Sequence, residues 1–122
     1  MSPAGTLTVG EGLVGGAMAA TPSAIAAVAA GTGPPAPSWL VRVLGLRMAA
    51  QCLATAWTRG RGRHLQRRVL LGGAAVDVTH AASMVLAARW RPAYRRSALA
   101  SAGLAASAAV LGLVAAGRGA DR

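Results

Sequence analysis

Asp77 sits in the middle of an apolar run that extends from Val69 to Ala88. A helix of roughly 20 apolar residues, rising about 1.5 Å per residue, is what a bilayer core requires. A carboxylate at the centre of such a helix costs roughly 2.5–3.5 kcal/mol on insertion scales, so it needs a partner or a function. The chain has only three acids, and the other two, Glu11 and Asp121, lie toward its termini. The preceding apolar segment carries Arg47 at a matching depth. The chain therefore reads as helices that pack side by side and bring these two charges together.

Composition agrees. The chain is 54% hydrophobic and 13% charged, with mean hydropathy +0.47. Soluble domains average about 25% charged. There is no Phe, and Ala and Gly dominate the apolar residues. Small residues let helices approach closely in lipid. The length of 122 residues suits one domain, 1–122, and leaves no room for a large catalytic unit beside membrane spans.

All thirteen bases are Arg, giving a net charge of +10. Most fall in two clusters between apolar runs: Arg59, Arg61, Arg63, Arg67 and Arg68, then Arg89, Arg91, Arg95 and Arg96. A strongly basic chain can be a nucleic-acid binder. A nucleic-acid reader, however, presents a polar helix face, and these helices have almost none. The arginines read instead as loop and interface groups at anionic lipid headgroups. Cys52 is the single cysteine, and His64 and His80 are far apart in sequence, so no metal-ligand spacing or internal disulfide is expected. No cofactor motif is present.

Four apolar segments follow one another, over about 8–30, 39–58, 64–90 and 93–117. In the first, Thr8 and Glu11 have capping-box spacing. Pro22 should kink the helix, and Gly12 and Gly16 form a G-x-x-x-G pair suited to close contact. A cleaved signal peptide is the alternative for this segment, but no Arg or Lys precedes it. A Pro-rich linker, 31–37, follows. Ser38 reads as an N-cap. Trp39 and Trp57 bracket the second segment, as aromatic residues do at membrane interfaces. Trp90 marks the end of the third, and Pro92 opens the fourth. In the fourth, Ala98–Ala102–Ala106 and Ser101–Ala105–Ala109 form small-residue rows. Short connections favour antiparallel neighbours. The expected fold is all-α, an integral membrane up-down four-helix bundle.

With four spans, Arg59, Arg61, Arg63, Arg67, Arg68, Arg118 and Arg122 share one side, and Arg89, Arg91, Arg95 and Arg96 share the other. Seven against four places both termini in the cytoplasm by the positive-inside rule.

Arg47, Gln51, Thr55 and Thr58 recur at i, i+4, i+8 and i+11, one face of a helix. Asp77, His80 and Met84 share a face of the third segment. Antiparallel packing sets Arg47 and Asp77 at nearly one depth, with Gln51 and His80 beside them. The cluster Arg47, Gln51, Asp77 and His80 is either a ligand pocket or proton relay, or an ion pair that fixes helix register.

Arg42–Val43–Leu44–Gly45–Leu46–Arg47, followed by Gln51, together with Val76–Asp77–Val78–Thr79–His80–Ala81–Ala82–Ser83–Met84, resembles small actinobacterial membrane proteins, loosely similar to DoxX-like four-helix families. The resemblance spans about residues 38–116 and marks Gly45, Arg47 and Asp77. It implies a fold and a membrane location and assigns no activity. The functional expectation is a non-catalytic subunit, or a binder of lipid or a small apolar ligand, in a bacterial plasma membrane. Membrane lipids and other membrane proteins, including copies of itself, are the expected partners. The rival readings are a small membrane enzyme or redox accessory using Arg47, Asp77 and His80, and a soluble basic helical nucleic-acid binder. No nucleophile–base pair or phosphate loop supports the enzyme reading.

Overall fold

The computed structural model describes residues 3–118, so Asp121 and Arg122 lie outside the described residues. The described chain is helical, with no strand. The helices are α1 (Pro3–Ala20), α2 (Pro22–Ala30), α3 (Ser38–Thr58), α4 (Arg63–Trp90) and α5 (Arg95–Arg118); a single 3-10 turn, Pro92–Tyr94, joins the last two.

The first segment is two helices rather than one kinked helix. Thr21 leaves helical geometry at φ −128°, ψ 57°, and α2 departs from α1 at 105°. Pro22 has no N–H to donate, and its ring excludes the carbonyl one turn back. Thr21 remains tied to α1 through its Oγ1, which donates to Ala17 O at 2.9 Å. The chain then turns across the bundle end, where α2 packs on α3 and α5. The capping box is not formed either. α1 begins at Pro3, so Thr8 and Glu11 fall inside the helix, and Glu11 turns inward. Likewise α3 starts at Ser38 behind Pro37, without a side-chain cap.

Two antiparallel pairs carry most of the packing, α1 with α3 and α4 with α5. In the first pair Thr8 lies beside Cys52 and Arg59, while Gly15 crosses Gly45. Met18, Ala26 and Val41 form its core, flanked by Leu44 and Met48. In the second pair Leu70 packs with Ala108 and Ala116. The buried residues of α5 are Ala98, Ala102, Ala105, Ala108, Ala109, Gly112 and Ala116. Steps of three and four run through them, following the 3.6-residue turn. A straight i+4 row drifts off the contact face, which is why Ala106 of the expected row is exposed.

The close approach of α1 to α3 runs through Gly15 and Gly45, not through Gly12 and Gly16. A Cβ at Gly15 would lie 2.8 Å from Gly45 O, whereas one at Gly16 meets nothing within 4 Å. Gly12 is a side contact, with Cys52 Sγ 3.2 Å from where its Cβ would be. At the other end of the bundle Gly31 holds a positive φ of 61° and lies against the Arg96 guanidinium.

By length and composition, two helices qualify to cross a membrane, Arg63–Trp90 and Pro92–Arg118, and a third if α1 and α2 count as one bent span. Four long apolar spans were expected. α3 falls short because Arg42, Arg47 and Gln51 lower its hydropathy. α4, at 28 residues, is about 42 Å long at 1.5 Å per residue. A bilayer core is about 30 Å thick. The surplus matches the basic turn at the start of α4, Arg63 to Arg68, and its basic end at Arg89.

Candidate functional site

α3 and α4 touch sparingly, and polar side chains bridge them. Arg47 Nη2 donates to Asp77 Oδ1 at 2.7 Å. Gln51 lies one turn further along α3. Its Nε2 donates to Asp77 Oδ2 at 3.0 Å, so both carboxylate oxygens of Asp77 are engaged from α3. Asp77 is 4% exposed. A carboxylate removed from solvent in this way is tolerable only because a cation and an amide complete its shell.

Gln51 Nε2 also donates to Glu11 Oε1 at 2.9 Å. The two hydrogens of one amide thus join carboxylates from α1 and α4. Glu11 is buried at 3% exposure, and its Oε2 has no hydrogen-bond partner among the described residues. The constellation therefore holds two carboxylates against one guanidinium. Gly73 makes room for it, because a Cβ there would lie 2.6 Å from Gln51 Nε2.

His80 lies beside the ion pair but binds elsewhere. Its Nε2 is 2.9 Å from Ser101 Oγ on α5. The cause is helical phase: three residues beyond Asp77 the side chain has rotated by about 300°, toward α5 rather than α3. A cavity of about 20 Å³, bounded by Arg47, Asp77, His80 and Ser101 with Met18, Met48 and other apolar side chains, lies between the two groups. That is about the size of one water, and four polar groups border it. Thr55 and Thr58 complete the polar face of α3 and are each 1% exposed, with Thr58 Oγ1 donating to Thr55 O at 3.0 Å.

Arg47, Gln51 and Asp77 thus come together as the sequence spacing expects, whereas His80, expected to hydrogen-bond beside them, pairs with Ser101 instead. The spacing misses Glu11 and Gly73. The signal for Glu11 was present: Glu11, Gly15, Met18 and Pro22 recur at i, i+4, i+7 and i+11, and all four are buried. Reading Glu11 as a cap assigned its carboxylate to the backbone and concealed that face.

Arg59, Arg61 and Arg91, expected in loops, lie between helices, while Arg63, Arg67, Arg68, Arg89, Arg95 and Arg96 lie in the end turns of α4 and α5, and all nine are exposed. Some have protein partners as well. Arg59 Nη2 donates to Thr8 Oγ1 at 2.9 Å. Arg61 Nη1 donates to Trp57 O at 2.8 Å, and its guanidinium stacks 4.0 Å from the Trp57 ring centroid. Those contacts pin the α3–α4 turn, in which Gly60 and Gly62 take positive φ. Among the described residues no three His, Cys, Asp or Glu side chains come together as metal ligands would.

The charge count gives a first prediction. Glu11→Gln keeps an acceptor for Gln51 and removes the carboxylate that lacks its own cation. It should leave thermal stability in detergent unchanged or raise it, by up to about 2 kcal/mol, while Asp77→Asn lowers it. Equal losses from both substitutions would show that the two carboxylates share the guanidinium evenly.

The chain matches no known protein family, no curated protein and no solved structure.

Proposed function

We propose that the chain is a multi-pass protein of a bacterial plasma membrane, crossing it with α1, α3, α4 and α5, and that it acts without catalysis. In this reading it is a subunit of a membrane assembly or a binder of lipid or a small apolar ligand. One observation carries the reading: the charged cluster is enclosed while the outward surface is apolar. Leu13 at 71%, Leu53 at 69% and Val28 at 77% exposure face away from the bundle, whereas Asp77 and Glu11 are buried. Charges turned to the bundle interior and paired there, beneath large apolar side chains, are the arrangement that lipid favours. α3 joins the spans on this account because its one deep cation, Arg47, is matched by Asp77. Arginines at both bundle ends then meet anionic headgroups.

The experiment is membrane fractionation followed by copurification. The chain should stay with membranes after a high-salt wash and should carry lipid or a second membrane protein into mild detergent. Release by salt together with nucleic acid would favour the soluble nucleic-acid reading instead.

A topology prediction accompanies this. Thr8 and Arg59 meet at one end of the bundle, and Gly31 and Arg96 meet at the other. Reporter fusions in the Arg59–Gly62 turn and after residue 122 should both report cytoplasm, and a fusion in the 31–37 linker the opposite side. Opposite sides for the first two would remove one crossing from the reading.

A further inference from the structure

The ion pair closes only part of the gap between α3 and α4. Beside it lies an open groove of about 450 Å³, lined by Arg47, Ala75, Val76, Thr79, His80 and Ser83. That volume falls within the roughly 300–1,000 Å³ typical of small-ligand sites. Ala75 and Val76 supply apolar surface.

Among the polar groups of the groove, Arg47 is the one with hydrogens in excess. A guanidinium has five N–H donors. Arg47 directs its Nη2 to Asp77, and no other partner is present among the described residues, although its side chain is 28% exposed. The hydroxyls are already committed: Thr79 Oγ1 donates to Ala75 O at 2.9 Å and Ser83 Oγ to Thr79 O at 2.8 Å. The hydrogens left to offer an occupant thus belong to Arg47, with His80 alongside. At Arg47 the site is complementary to an accepting oxygen, while the two hydroxyls retain only acceptor lone pairs.

Charge narrows the class further. Asp77 already neutralises Arg47, and Glu11 adds a second carboxyl to the cluster. An anion would meet no net positive charge. Arg47 is also near the middle of α3, out of reach of a phospholipid headgroup held at the surface.

We propose that this groove binds a neutral lipophile by its carbonyl oxygen, an acyl ester being the representative chemistry. The Arg47 guanidinium donates to the carbonyl, and the chain of the ligand lies along Ala75 and Val76. The inference rests on the membrane ligand-binding reading and specifies its ligand class.

The test uses the full chain in dodecyl maltoside, a detergent without a carbonyl. Methyl oleate labelled with carbon-13 at its carbonyl is titrated in and followed by infrared spectroscopy. A saturable shift of the labelled ester band to lower frequency is expected, with displacement by unlabelled methyl oleate. Oleate and 1-octadecene should compete at least tenfold less well. Ala75→Phe fills the groove from its wall and leaves the Arg47–Asp77 pair untouched. It should weaken binding at least tenfold with no change in thermal stability.

Equal competition by 1-octadecene would overturn carbonyl recognition and leave apolar-ligand binding standing. Tighter binding of oleate would overturn the choice of a neutral ligand. An unchanged shift in Ala75→Phe would place the ligand elsewhere, and absence of any saturable shift would overturn the site. In that last case, lipid copurifying in mild detergent tells whether the broader reading survives.

Discussion

Asp77→Ala is expected to destabilise the protein by up to about 3–5 kcal/mol, the cost of breaking a buried ion pair by removing one partner. Arg47 would lose its only cation–carboxylate contact among the described residues and Gln51 one of its two acceptors. Arg47→Ala should be comparable, because Asp77 is the more deeply buried of the two, at 6% side-chain exposure against 28%. The paired change Arg47→Leu with Asp77→Leu separates two roles. Buried ion pairs replaced by apolar groups of similar size often lose nothing. Thermal or denaturant unfolding in detergent should therefore show the double variant recovering much of the single-variant loss. Recovery of stability without recovery of ligand binding or of a cellular phenotype would assign the pair a role beyond register. A double variant as unstable as either single one would rule out the simple pairing account.

Gly45→Leu should separate α1 from α3. A Cβ at Gly45 would lie 2.7 Å from Gly15 O, Ala19 N and Met18 Cβ. Two of those atoms are backbone and cannot rotate aside. Overpacking typically costs about 1–3 kcal/mol and occasionally more, and a backbone-to-backbone crossing belongs at the upper end. Even Gly45→Ala should approach about 3 kcal/mol for that reason. Gly15→Ala should act alike, and the two together should cost less than their sum, since the first already displaces α1. Gly16→Ala is the control: its added methyl meets nothing within 4 Å. It should be neutral or gain roughly 0.5–1 kcal/mol of helix preference. Cys52 provides a second readout. Its thiol is half-buried and donates to Thr8 O at 3.2 Å, so displacement of α1 should raise its reactivity toward a maleimide. Unchanged stability and reactivity in Gly45→Leu would refute the crossing.

These two sites had different visibility in the chain. Arg47 and Asp77 stand out because charge in an apolar run is rare and expensive, and two such runs joined by a short turn allow depth to be counted from each end. The Gly15–Gly45 crossing does not stand out. Gly is abundant throughout this sequence, and G-x-x-x-G spacing picks Gly12 and Gly16 as readily as any other pair. Which glycine faces a neighbour depends on helix phase, and phase depends on where α1 begins. That start, at Pro3 rather than Thr8, also explains Glu11. A carboxylate in a first turn serves the backbone, whereas two turns further in it belongs to a helix face.

Sequence alone therefore determined the helical class, the basic ends, and the pairing of Arg47 and Gln51 with Asp77. Each follows from local terms: apolar periodicity, the cost of a buried charge and the length of a turn. Tertiary structure alone decided that the first segment breaks by 105° at Thr21–Pro22 and that Glu11 joins the cluster through Gln51. It alone turned His80 toward Ser101 and placed Gly45 against α1. Those outcomes depend on how far each helix is rotated about its own axis against a neighbour. Spacing along the chain restricts that rotation to a face, and only the packing of one helix on the next fixes which atoms on that face meet.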